Sequence, residues 1–179
     1  DAESWYQRGR NRLGPGAEAE GAAIGAVAAA IAALRGRDEE AAAHIEALQR
    51  FLRAYPDNPM QLINLYAARI IALVEQGELG EPFERLITEF NALGLQPGAL
   101  LPGPRFYYVY EALGRLAQCH RAGPERRDSR RAVAQEVVDR LGRMADNRPL
   151  RAFHRVLRAD LEVLAGRPAD AVRTLADIE

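Results

Sequence analysis

The chain has 179 residues, 48% of them hydrophobic and 27% charged, with a net charge of −1 and a single cysteine, Cys119. A net charge so near zero excludes a global field for nucleic acid or an anionic membrane, and one cysteine excludes an internal disulfide or a cysteine-based metal cluster. Alanine dominates the apolar share, all cations are arginine, and Ala, Leu, Arg and Glu are strong helix formers, so an all-α chain is expected. Arginine without lysine fits the coding bias of a GC-rich bacterium.

Residues 1–16 carry Trp5, Tyr6 and three arginines before the Gly14-Pro15-Gly16 break. They read as an N-terminal extension or a cut-off helix, with Trp5 packed on the helix that follows. The chain starts without Met and stops just past a helix, as an excised fragment or processed form would. A first helix is expected over 17–34. It contains the longest strongly apolar run, Ala22 to Leu34, which is too short for a membrane span. Its Ala26, Ala29, Ala30 and Ala33 leave little bulk and favour close helix approach. After Arg35-Gly36-Arg37-Asp38, a second helix over 39–55 shows the stripe Ala42, Ile45, Leu48, Leu52, with Asp38 as its N-cap. Pro56-Asp57-Asn58-Pro59 closes this hairpin.

A third helix, 59–76, is apolar on more than one face, which implies burial on two sides. Gly77 ends it, and a fourth runs over 81–93 with Phe83, Leu86, Ile87, Phe90 and Leu93 inward. The stretch 94–104, GLQPGALLPGP, has three prolines and three glycines and excludes regular structure. Its leucines suggest a hinge loop folded back onto the helices. Helix five covers 105–121, helix six 128–145, helix seven 150–165, and helix eight 169 to the end. Asp146-Asn147-Arg148-Pro149 echoes the earlier proline punctuation, and Gly166 breaks the last pair.

The breaks at Gly36, Gly77, Gly123 and Gly166 lie 41, 46 and 43 residues apart. A near-constant period made of two helices is the mark of an α-solenoid, whose hairpins bury their faces on one another. After Gly36 come Ala41, Ile45 and Leu48. After Gly166 come Ala171, Leu175 and Ile178. This Gly, small, large-apolar spacing resembles the second half of the tetratricopeptide repeat. The match weakens around Gly77, where Pro82 takes the small residue's place, and around Gly123. The family's Trp and Gly-Tyr features are absent, and the period exceeds its usual length of about 34 residues.

The resemblance implies antiparallel hairpins (about 17–56, 59–93, 105–145 and 149–179) stacked as a right-handed superhelix. It also implies a concave groove lined by first helices, which would hold a peptide or partner helix. Helical phase places Asn64, Ala67 and Ile71 there from helix three. Helix five would add Tyr110, Leu113, Ala117 and His120, and helix seven Phe153, Val156 and Asp160. Such a groove suits an apolar or aromatic segment better than a charged terminus.

Chemistry has few carriers. The histidines His44, His120 and His154 form no ligand-spaced pair. Cys119 and His120 are adjacent, about 100° apart on a helix, so the cysteine reads as structural. Without lysine no Walker phosphate loop is possible, and Ser4 and Ser129 sit in no nucleophile motif. No enzyme, metal or cofactor is expected. Two clusters stand out. In Arg105-Phe106-Tyr107-Tyr108-Val109-Tyr110, Tyr107 and Tyr110 are either a binding hot spot or the cement between the loop and the helices. Arg121, Arg126, Arg127, Arg130 and Arg131 could meet phosphate or an acidic partner, although a solvated turn explains them as well.

The expected role is a non-catalytic protein-interaction scaffold. It would be a cytoplasmic piece of a larger bacterial regulator that binds a protein or peptide, with no nucleic acid and no membrane insertion. The alternative is a small-ligand-sensing regulatory domain, in which the 94–104 loop closes over the tyrosines.

Overall fold

A computed structural model describes residues 18–95 and 105–176. The expectations for Trp5 and for the loop after Leu95 lie outside these residues, as does Ile178. Among the described residues the chain is all helical. Its eight helices are α1 (Glu18–Leu34), α2 (Asp38–Ala54), α3 (Pro59–Glu75), α4 (Glu81–Ala92), α5 (Phe106–Arg121), α6 (Pro124–Met144), α7 (Arg148–Leu164) and α8 (Pro168–Ala176). They fall into two compact units that divide between Leu93 and Gly94, where the proline-rich stretch begins.

Three of the four breaks close in the same way. Gly36, Gly77 and Gly166 have φ of 66°, 72° and 74°, a left-handed conformation that glycine reaches without the Cβ penalty. The amide of the next residue donates to a carbonyl five residues back: Arg37 to Ala32, Glu78 to Leu73 and Arg167 to Glu162, at 2.8–2.9 Å. These are Schellman caps, which satisfy carbonyls the helix would otherwise leave open. Gly123 differs. At φ −65° and ψ 163° it is an extended residue before α6, and α5 ends on extended Ala122 instead.

Most helix starts lie within two residues of the sequence expectation, and two that differ have a clear physical cause. Helix α6 begins at Pro124, four residues early, because proline is accommodated in a first turn, and Glu125 there suits the helix dipole. Helix α2 has Arg37 at its N-cap, whose side chain makes no capping bond to the helix amides, so Asp38 is its first helical residue rather than its cap. Asn58 and Asn147 do cap α3 and α7. Their side-chain oxygens accept from the amides of Gln61 and Leu150 at 3.2 and 3.0 Å.

In the first unit α1 packs against α2 and α3, and α3 also packs against α2 and α4. The bare helix α1 buries Ala26, Ala28, Ala29, Ala32 and Ala33, and small side chains permit this closeness. Helix α3 buries Gln61, Ile63, Leu65, Ala68, Ile70, Ile71 and Ala72, a set that covers more than one face, as its hydrophobic pattern predicts. Phe83, Leu86, Ile87 and Phe90 of α4 close the core, while Leu93 is half-buried. On α2 the buried small residue is Ala41, whereas Ala42 is exposed.

The second unit repeats the scheme. Helix α5 packs on α6 and α7, α6 on α7, and α7 on α8. Its core holds Tyr107, Val109, Ala112, Val138, Leu141, Leu150 and Leu157. Gly142 of α6 lies under the His154 ring of α7, where a Cβ would come within 2.6 Å of Nε2.

Replacing Gly166 by Ala should cost about 1–2 kcal/mol, because the left-handed backbone remains strained, and Gly123→Ala should cost far less. Urea denaturation of the two variants gives the comparison, and equal losses would remove the Schellman argument. Gly25→Ala, in a helix interior with open space around its Cβ position, should stabilise by roughly 0.5–1 kcal/mol.

Candidate functional site

Helix α5 is buried around most of its circumference. The exception is one row, Phe106, Tyr110, Leu113 and Ala117, half-buried, followed by exposed His120. Steps of four and three residues keep such a row on one face. Helix α7 adds a second exposed row, Phe153 (39% exposed), Val156 (50%) and Val163 (51%), with half-buried Asp160 in line. The two rows meet at two places. The Phe106 and Phe153 rings lie edge to face, 5.7 Å apart. Further along, His120 Nε2 lies 3.0 Å from both Asp160 carboxylate oxygens. An ionised carboxylate only accepts, so Nε2 carries the proton and donates.

Helical phase therefore places most of the second-unit candidates together. Tyr110, Leu113, Ala117, His120, Phe153, Val156 and Asp160 share one apolar face that ends in the His120–Asp160 hydrogen bond. Tyr107 does not belong to it. Its side chain is fully buried, and burial with Glu111 beside it pushes the phenol well above its ordinary value. Tyr107 is about 60° around the helix from Tyr110, enough to carry it into the core. In the first unit, Ile71 is also buried, because α3 is covered by α1, α2 and α4. Asn64 is half-buried and donates to Gln61 Oε1 at 3.0 Å. Ile71 and Tyr107 thus offer no surface to a partner.

Beneath the exposed face runs a polar seam that the sequence reading missed. Glu111, buried within α5, accepts from Arg140 of α6 at 2.6 Å. Burial raises the Glu111 carboxyl above its ordinary value, and the Arg140 charge and hydrogen bond oppose this. The Arg140 guanidinium also lies 5.4 Å from the Tyr108 ring centre, a cation–π geometry. Arg115 and Arg130 both donate to Gln118 Oε1 at 3.1 Å. At the rim, Arg105 donates to Asp146 at 2.5 Å and holds that carboxyl below its ordinary value. Cys119 is buried and free, and burial raises its thiol, so it is unsuited to nucleophilic chemistry. One signal for the seam was available, since Glu111 and Arg115 fall on the side of an otherwise apolar-rich helix that faces its neighbours.

The first unit holds a cleft of about 240 Å³ between α2, α3 and the start of α4. Ile45, Leu73 and Pro82 supply apolar walls, and Glu46, Arg69 and Gln76 supply polar groups. Arg69 also contacts Glu89 at 3.5 Å. Among the described residues no three His, Cys, Asp or Glu side chains gather as metal ligands, and no helix is long and apolar enough to cross a membrane. No protein-family model, curated protein or solved structure matches the chain.

Two predictions follow from the α5–α6–α7 packing. Arg140→Met should leave the buried Glu111 carboxylate alone and cost roughly 3 kcal/mol, at the lower end for a buried pair because the guanidinium keeps some water contact. Adding Glu111→Gln should recover part of that loss in urea denaturation. His154, half-buried against Gly142, has its pKa lowered chiefly by burial, then by the Arg158 charge. The fold favours its neutral form, so its contribution is present above the unfolded value near 6.5 and is lost as pH falls below it. The stability difference between the wild type and His154→Gln, followed by thermal melts from neutral to mildly acidic pH, should shift against the wild type on acidification. A flat difference would overturn this assignment.

Proposed function

We propose that this chain is a non-catalytic peptide-binding scaffold of tetratricopeptide-like hairpins, within a larger cytoplasmic regulatory protein of a bacterium. The observation that carries the reading is the exposed apolar face of α5 and α7, with Tyr110, Leu113, Phe153 and Val156 between the Phe106–Phe153 and His120–Asp160 contacts. Isolated surface apolar residues are ordinary, whereas a contiguous exposed patch marks an interaction site. Aromatic residues at the centre of such a patch are typical binding anchors. The occupant that suits it is the apolar stripe of an amphipathic helix or an extended segment rich in Leu, Phe or Trp. The stacking of first helices on one another in both units, α1 on α3 and α5 on α7, supports the tetratricopeptide likeness.

A small-ligand-sensing reading has one observation in its favour, the cleft beside Glu46 and Arg69 in the first unit. The α5–α7 face is preferred because it presents larger aromatic and aliphatic anchors.

Selection of a random displayed peptide library on the immobilised chain tests the reading. Recovered peptides should be rich in large apolar residues, and Val156→Asp should weaken them at least about tenfold, or about 1.4 kcal/mol. Recovery of only charged peptides, or unchanged binding to Val156→Asp with its melt intact, would defeat it.

A further inference from the structure

The near-zero net charge conceals a strong segregation. Residues 18–95 carry six arginines against twelve carboxylates, whereas residues 105–176 carry fifteen arginines against nine carboxylates. The acidic unit pairs most of its few cations: Arg37 with Glu40, Arg50 with Glu46, Arg69 with Glu89, and Arg85 with Glu81. The basic unit leaves many of its cations without an acid. Among the described residues, Arg126, Arg127, Arg143, Arg148 and Arg155 make no ion pair. Arg151 donates to the Asp146 carbonyl at 2.9 Å, which leaves its charge unneutralised.

On α7 this excess is ordered. Arg148, Arg151, Arg155 and Arg158 recur at spacings of three, four and three residues, which places them in one row along about 15 Å of helix. Arg148, Arg151 and Arg158 are exposed and Arg155 is half-buried. The row is acid-free until Glu162, which contacts Arg158 at 3.5 Å and accepts from Thr174 at 2.9 Å. It lies about half a turn away from Phe153 and so shares nothing with the apolar face. Like charges at this spacing repel and weaken a helix, so stability alone does not account for the row.

We propose that the Arg148–Arg158 row is a second docking surface, which receives an acidic peptide segment whose carboxylates repeat at helical spacing. Charge complementarity carries the choice of occupant. Arginine forks match carboxylates bidentately, and the three- and four-residue steps of the row match the same steps on an opposing helix. Single-stranded nucleic acid suits the row less well. Its binding sites add aromatic platforms for base stacking, and the aromatic side chain of α7, Phe153, lies on the other face.

Fluorescence titration with labelled poly-L-glutamate of about twenty residues, at low salt, tests the proposal, with an oligothymidylate of equal length as comparison. Poly-L-glutamate should bind with an affinity that falls as salt rises. Arg148→Gln with Arg155→Gln should weaken it at least about tenfold. Arg126→Gln with Arg127→Gln, which removes the same charge elsewhere, should change it less than about twofold. Circular dichroism should report both double variants as folded, since Arg126, Arg127 and Arg148 are exposed and half-buried Arg155 makes no ion pair among the described residues. No binding of poly-L-glutamate, equal loss in both double variants, or tighter binding of the oligothymidylate would each overturn it.

Discussion

The hairpins depend on reversing the chain within a few residues of a helix end without leaving carbonyls unsatisfied. A left-handed residue achieves this, and glycine reaches that conformation without steric cost. Gly36, Gly77 and Gly166 each do so, with the same amide-to-carbonyl bond spanning five residues. This shared geometry explains why the breaks look alike in the sequence although the residues around them differ. Gly123 departs from it. It keeps the spacing, but its extended conformation and the Pro124 start of α6 build a different connection.

Once the direction is reversed, the two hairpins within each unit cover one another. A helix pair cannot bury both sides alone. In each unit the first helix of the earlier hairpin lies against the first helix of the later one. The two units solve the packing differently. The first uses alanine in α1 and large apolar residues in α3 and α4. The second places charged and polar side chains inside, with Glu111 and Arg115 among the buried residues of α5. Burying Glu111 is tolerable because Arg140 reaches it at 2.6 Å, whereas a lone carboxylate there would be strongly unfavourable.

Helix α7 combines these themes. One side carries Leu150, Leu157 and Leu161 into the core, another presents Phe153, Val156 and Val163, and a third carries four arginines. Three chemically distinct faces on a helix of 17 residues let it hold its own unit together and leave two sides for the proposed partner segments. The proposed apolar and acidic occupants use different sides of this helix and so do not compete for the same side chains.

The sequence by itself determined the all-helical class, the helices to within a few residues, the glycine breaks and the apolar row of α5. These follow from local propensity, turn chemistry and the helical period, which act over a few residues. The row Tyr110, Leu113, Ala117, His120 was legible for that reason. Tertiary structure alone decided that Tyr107 and Ile71 are core, that His120 meets Asp160 forty residues on, and that Glu111 meets Arg140. Which face of a helix is covered depends on neighbours distant in sequence, and a rotation of about 60° separates a buried tyrosine from a presented one. The charge segregation was countable in the sequence but hidden by a total near zero. Only the helix boundaries and burial turned it into an ordered row on α7.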